Sequence, residues 1–84
     1  MVQLVYLARL REVLGVSAEA VELPGEVATV ASLLAWLRRR GGAWADELAP
    51  GRAVRVAVNH DVAGANTAVK AGDEVALFPP VTGG

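Results

Sequence analysis

Thr29-Val30-Ala31-Ser32-Leu33-Leu34-Ala35-Trp36-Leu37, running on through Arg38-Arg39-Arg40 to Gly41-Gly42, is the clearest helical pattern in the chain. Val30, Leu33, Leu34 and Leu37 fall at i, i+3, i+4 and i+7, so one apolar stripe runs down one side. Thr29 supplies an N-cap oxygen, and the glycine pair stops the run. The three arginines sit in the last turn, where they oppose the negative end of the helix dipole and face solvent. That reading is preferred to a phosphate site. An amphipathic helix of this kind needs a flat apolar surface to cover.

Working outward, the neighbouring segments supply that surface as strands. From Val2 to Leu7, the residues Val2, Leu4 and Tyr6 take the core face, and Gln3, Val5 and Leu7 take the other. Ala8 to Leu14 loses the alternation and stops at Gly15, which predicts one or two helical turns. Ala20 to Leu23, before Pro24-Gly25, reads as a second strand in a hairpin with the first. On the other side of the helix, Trp44 and Leu48 share a short helical turn, and Trp36 helps to cover the same region. Ala53 to Val58 is a strand with Val54, Val56 and Val58 on one face and Arg55 and Ala57 on the other. Asn59-His60-Asp61 forms a turn, with a short strand near Val62. Glu74 to Phe78 is the last strand, with Val75 and Leu77 directed inward.

Runs of strands around one helix imply an α+β layer rather than alternating βαβ units. The expected architecture is a mixed sheet with one main helix across it and the first and last strands side by side at the centre, the β-grasp (ubiquitin-like) solution. Residues 1–78 are expected to form that domain, and residues 79–84 an extended tail.

Composition narrows the function classes. A chain of 84 residues buries only about 60–65% of its unfolded surface, so one modest core is all it builds. Apolar residues make up 54%, enough for a core without disulfides or a structural metal. The formal charge of −1 does not provide the attraction that non-specific nucleic-acid or membrane-surface binders use. The absence of cysteine removes thiolate ligands and cysteine nucleophiles. With no basic leader and no stretch near the ~20 apolar residues of a membrane span, a cytoplasmic protein is expected, with neither nucleic acid nor membrane as partner.

The chemistry points to the end of the chain. Pro79-Pro80 ends the ladder, because proline lacks an N–H and fixes φ, and Val81-Thr82-Gly83-Gly84 then projects. Six residues from Pro79 reach up to about 20 Å at roughly 3.3 Å each, long enough to enter a partner's active site. Terminal glycines carry no side-chain bulk, so a narrow channel admits the backbone up to the carboxylate of Gly84. Activation by ATP would give an acyl-adenylate that a sulfur or amine nucleophile displaces. A Gly-Gly ending by itself also fits an ordinary frayed terminus. Strand parity adds to the tail: with Tyr6 and Leu77 inward, Leu7 and Phe78 point to the opposite face near the origin of the tail, and Val62 extends the patch.

Other candidates are thin. His60 beside Asp61 has no Ser or Cys partner and no second histidine, and reads as a turn residue. Asp73 and Glu74 diverge at a strand start. Gly41-Gly42 ends a helix rather than opening one, so it makes no phosphate loop.

Gly72-Asp73-Glu74-Val75-Ala76-Leu77-Phe78-Pro79-Pro80-Val81-Thr82-Gly83-Gly84 resembles the C-terminal signature of the MoaD family, the small subunit of molybdopterin synthase. Tyr6-Leu7-Ala8-Arg9-Leu10-Arg11-Glu12 and Val58-Asn59 resemble it too. The resemblance implies a sulfur carrier that is no enzyme on its own. An E1-like adenylating enzyme (MoeB type) would activate Gly84 with ATP, and a sulfur donor protein would convert it to a thiocarboxylate. The tail, Pro79 to Gly84, would then enter the large synthase subunit (MoaE type) and deliver sulfur to cyclic pyranopterin monophosphate. Leu7, Val62 and Phe78 would form the docking patch, and the chain itself would bind no cofactor or metal. The sequence departs from typical members in having Leu7 where an aromatic is common. The alternatives are a carrier for thiamine, tRNA thiolation or cysteine, a protein modifier linked to lysines, for which Lys70 is the one side-chain amine here, or an interaction domain without chemistry.

Overall fold

Alternation along the first residues produces β1 (Val2–Tyr6), with Val2, Leu4 and Tyr6 buried. The computed structural model describes residues 1–80. After β1 come α1 (Ala8–Leu14), β2 (Ala18–Val21), α2 (Val30–Arg38) and α3 (Gly42–Glu47). The chain then forms β3 (Arg55–Val58), β4 (Asp61–Ala63) and β5 (Glu74–Phe78). The strands make one mixed sheet in the order β2-β1-β5-β3-β4. β1 and β5 run parallel at its centre, and the other pairs are antiparallel. With α2 packed across one face, this is the expected β-grasp arrangement.

Helix α2 starts where its sequence says it should. Thr29 is extended, its hydroxyl accepts the Ser32 N–H at 3.2 Å, and Ser32 Oγ accepts the Thr29 N–H at 2.9 Å. Two otherwise unpaired donors are satisfied reciprocally, as in a capping box. Val30, Leu33 and Leu37 are buried against Leu4, Tyr6, Val75 and Leu77 in a single core. Truncating a fully buried leucine such as Leu37 to alanine in a core of this kind costs about 2–5 kcal/mol.

Three expectations are adjusted. The second strand lies at Ala18–Val21 rather than 20–23, because pairing with β1 sets Val5 against Ala18 and Val2 against Val21, leaving Leu23 beyond the ladder. Gly41, with φ 75, both follows α2 and caps α3, so the glycine pair opens a helix as well as ending one. That turn brings Trp44 back toward the end of α2.

As a result, Arg40 does not simply face solvent: its side chain is only 31% exposed and forms a two-pronged pair with Glu19, at 2.7 and 3.0 Å. Its guanidinium lies 5.1 Å from the Trp44 ring centre and 5.7 Å from that of Trp36, within the range of attraction between a cation and an aromatic face. Glu19 shares the helix-side face of the sheet with Leu4, and a carboxylate placed there needs a cation. Its hydrogen-bonded pair with Arg40 holds the carboxyl below its ordinary range.

At the opposite end of the sheet, Asp73 is 6% exposed. It accepts from Asn59 Nδ2 at 3.0 Å and from the Lys70 N–H at 2.9 Å. Asn59 Oδ1 in turn accepts the Glu74 N–H. This network ties the β3–β4 turn to the entrance of β5. Asn59 (φ 51) and His60 (φ 74) form the two-residue turn, both left-handed, as a tight hairpin between right-twisted strands requires.

Candidate functional site

The face of the sheet opposite α2 has its own pattern. Because Val5 pairs with Ala76, Ala76 with Ala57 and Ala57 with Val62, four apolar side chains form a row across β1, β5, β3 and β4. One step toward the ends of β1 and β5 lies a second row. Leu7 donates its N–H to the Leu77 carbonyl, extending the parallel ladder by one residue, so its side chain falls beside Phe78. Phe78 pairs on its other side with Arg55. Leu7 is 41% exposed, Val62 75% exposed and Phe78 half-buried. Leu7 and Phe78 are therefore neighbours, whereas Val62 belongs to the adjacent row.

Local structure explains why Leu7 stays outside. Its backbone is extended and precedes α1, whose first residue, Ala8, has φ 53. The chain turns abruptly there, carrying Leu10 and Leu14 into the core and leaving Leu7 on the outer face. Val5, Ala57 and Ala76 were not singled out in the sequence. The signal was available in strand parity, but it needed the register to show that they align.

The chain leaves β5 at Pro79-Pro80, both half-buried. Pro79 borders a groove of about 310 Å³ lined by Arg9, Leu10, Glu47, Arg52 and Val54, among others. Glu47 sits between Arg9 and Arg52, at 3.3 and 3.1 Å, and these two cations, Arg9 first, hold its carboxyl below the ordinary range. The expected tail residues Val81, Thr82, Gly83 and Gly84 lie outside the described residues. A larger groove of about 370 Å³, lined by Met1, Val2, Leu23, Val27 and Lys70 among others, opens at the far end of the sheet.

The remaining candidates do not assemble a site. His60 lies in its turn, 3.8 Å from Glu74, with both side chains exposed. Asp73 turns inward to Asn59, while Glu74 lies beside Gln3 on the outer face. Among the described residues no three His, Asp or Glu side chains converge as metal ligands, and no helix is long and apolar enough to cross a membrane. What the arrangement offers is an apolar, partly open strip beside the point where the chain leaves the sheet. It can bind a partner's surface and aim the segment that follows.

Known proteins are similar to this chain in sequence and in fold. Over all 84 residues the chain is 39% identical to the molybdopterin synthase sulfur carrier subunit of Haemophilus influenzae, with both chains covered completely. It is 34% identical to the Escherichia coli subunit of the same name, again over the whole of both chains. The crystal structure of SAMP1 from Haloferax volcanii superposes with a TM-score of 0.76 at 34% identity, covering 99% of this chain and 98% of that one. Residues 4–84 match the model of the ThiS family, and the chain belongs to that family.

Proposed function

We propose that this chain is the sulfur carrier of a molybdopterin synthase and that its working group is the carboxylate of Gly84. The observation that carries this reading is the placement of Leu7 and Phe78 side by side at the end of the sheet where the chain departs. A partner gripping that strip receives whatever follows Pro80. The full-length similarity to two molybdopterin synthase sulfur carrier subunits supports molybdopterin as the pathway.

In this reading an E1-like adenylating enzyme of the MoeB type joins the Gly84 carboxylate to the α-phosphorus of ATP, with pyrophosphate leaving. The outer sulfur of a persulfide on a donor protein attacks the acyl carbon with loss of AMP, and a thiol then cleaves the resulting acyl disulfide, forming a disulfide with the donor and releasing the thiocarboxylate. The tail then enters the large subunit, of the MoaE type, and the sulfur passes to cyclic pyranopterin monophosphate. Water finally restores the carboxylate, and two such deliveries make the dithiolene. The carrier supplies a docking face and a reactive terminus, while its partners supply the ATP chemistry and the acid–base groups. Leu7, Phe78 and, at the margin, Val62 dock, and Pro79 to Gly84 insert.

The test is intact-mass spectrometry of the protein isolated from cells that retain its partners. Exchange of one carboxylate oxygen for sulfur adds about 16 Da, and a chain lacking Gly84 will not acquire it. If only the unmodified mass is found, even after incubation with ATP, an adenylating enzyme and a sulfur source, the carrier reading fails. The similarity to SAMP1, also described as a small archaeal modifier protein, favours protein modification as the second reading. Gly84 joined to lysines of unrelated proteins would decide for it.

A further inference from the structure

Charge is divided between the two ends of this molecule, although the sequence as a whole is nearly neutral. β1 and β5 both run toward the end where the chain leaves the sheet, β3 starts there, and α2 finishes there. All seven arginines lie in segments at that end: α1, the close of α2, the approach to β3 and the first residue of β3. They face four carboxylates, Glu12, Glu19, Asp46 and Glu47, and two of these are already engaged by Arg40, Arg9 and Arg52. The far end holds Glu22, Glu26, Asp61, Asp73 and Glu74, against Lys70 and the Met1 ammonium. One pole is therefore net positive and the other net negative.

The division extends onto the apolar face itself. Arg55 flanks Phe78 at the tail end, and Glu74 flanks Gln3 at the other, with the Val5-Ala76-Ala57-Val62 row between them. The poles are electrically distinct in solution. The smallest dimension of the molecule, 22 Å, exceeds the screening length of about 8 Å at physiological ionic strength. An approaching surface senses the nearer pole only.

We propose that this polarity steers association, bringing the tail end first to a partner protein whose socket for Leu7 and Phe78 is rimmed by carboxylates. The apolar strip selects a protein surface over a polyanion, and the acidic far pole disfavours an extended polyanion that would reach both ends. Arg55 is the residue placed to act: it is exposed, it stands beside Phe78 on the docking face, and it makes no ion pair among the described residues. The identity of the partners rests on the carrier reading above.

Stopped-flow association of the full-length chain with the large synthase subunit, and with the adenylating enzyme, tests the proposal across a salt series. Steering predicts an association rate constant that falls about tenfold from low to physiological salt, while dissociation changes little. At low salt, Arg55→Glu lowers the association rate about tenfold, and Lys70→Glu, the same charge change at the far pole, shifts it by no more than about twofold. Arg55→Gln, checked by thermal unfolding, gives an intermediate loss and covers the case in which the reversal unfolds the chain. Binding that is insensitive to salt and to both Arg55 variants would overturn the steering while leaving the carrier reading intact. Failure of the unaltered chain to bind either partner overturns both. Micromolar binding of a labelled single-stranded oligonucleotide at physiological salt would show that the pole reads phosphate, and the proposal would fall.

Discussion

The Tyr6 hydroxyl donates to Glu19 Oε2 at 2.7 Å, joining the buried end of β1 to β2 beneath the Arg40 guanidinium. Trp44 Nε1 donates to the same phenol oxygen at 3.4 Å, and the two rings meet edge to face, 6.3 Å apart. Three elements, β1, β2 and α3, thus converge on one hydroxyl.

Burial, reinforced by the Glu19 carboxylate, pushes the Tyr6 phenol up to about 12 from an ordinary 10.0. The folded state favours the neutral phenol, so this contribution to stability is whole below pH 10 and is lost as pH rises toward 12. Tyr6 is the chain's one tyrosine, so phenolate absorbance will report it directly. Denaturant unfolding of Tyr6→Phe should show about 1–2 kcal/mol less stability at neutral pH, from the lost hydrogen bonds, and a shallower alkaline decline than the parent.

Acid acts at the other end of the sheet. The Asn59 amide, then the Lys70 N–H, hold the Asp73 carboxyl below its ordinary value near 3.8. A depressed folded value means stability that is present above that pH and lost below it. Asp73→Asn should lower the urea midpoint at pH 7 and flatten the acid limb. An unchanged midpoint would show that the network linking Asn59, Lys70 and Asp73 contributes nothing to stability.

His60 occupies a left-handed position that glycine takes without strain. Its side chain is exposed and its one close partner is Glu74 at 3.8 Å. His60→Gly should therefore stabilise the protein by about 1 kcal/mol, the reverse of the usual effect of introducing glycine. Thermal unfolding at pH 7 will read the sign.

Phe78→Ala removes the larger half of the strip beside the departing chain. If Phe78 anchors docking, calorimetric titration with the large subunit should show binding weakened by about 2 kcal/mol or more, with the fold intact by circular dichroism. Equal affinity for the large subunit and the adenylating enzyme would remove Phe78 from the interface.

How much of this was legible in the sequence depended on the range of the interactions. The Thr29 cap, the leucine stripe of α2, the Gly15 stop and the inward residues of β1 and β5 are local patterns, and they appear where periodicity places them. Leu7 and Phe78 followed from parity alone. The displaced second strand did not, because Leu23 extends the same alternation and only pairing with β1 excludes it. Arg40 looked like one more cation at a helix end. Its role required Glu19, Trp36 and Trp44, which meet only through the turn at Gly41. The polarity of the two ends was equally hidden, since a net charge sums over positions that the fold separates.

The parallel pair at the centre of the sheet governs when the protein comes into being. β5 fills the slot between β1 and β3, so until Phe78 has emerged from the ribosome the nascent chain has an N-terminal hairpin with no neighbour on one side and β3–β4 with none on the other. The sheet closes through its most sequence-distant contacts, which form late. The apolar strip on the outer face is created by the same event, because Phe78 is half of it. A truncated chain that stops short of β5 lacks both the central strand of the sheet and the strip formed by Leu7 and Phe78.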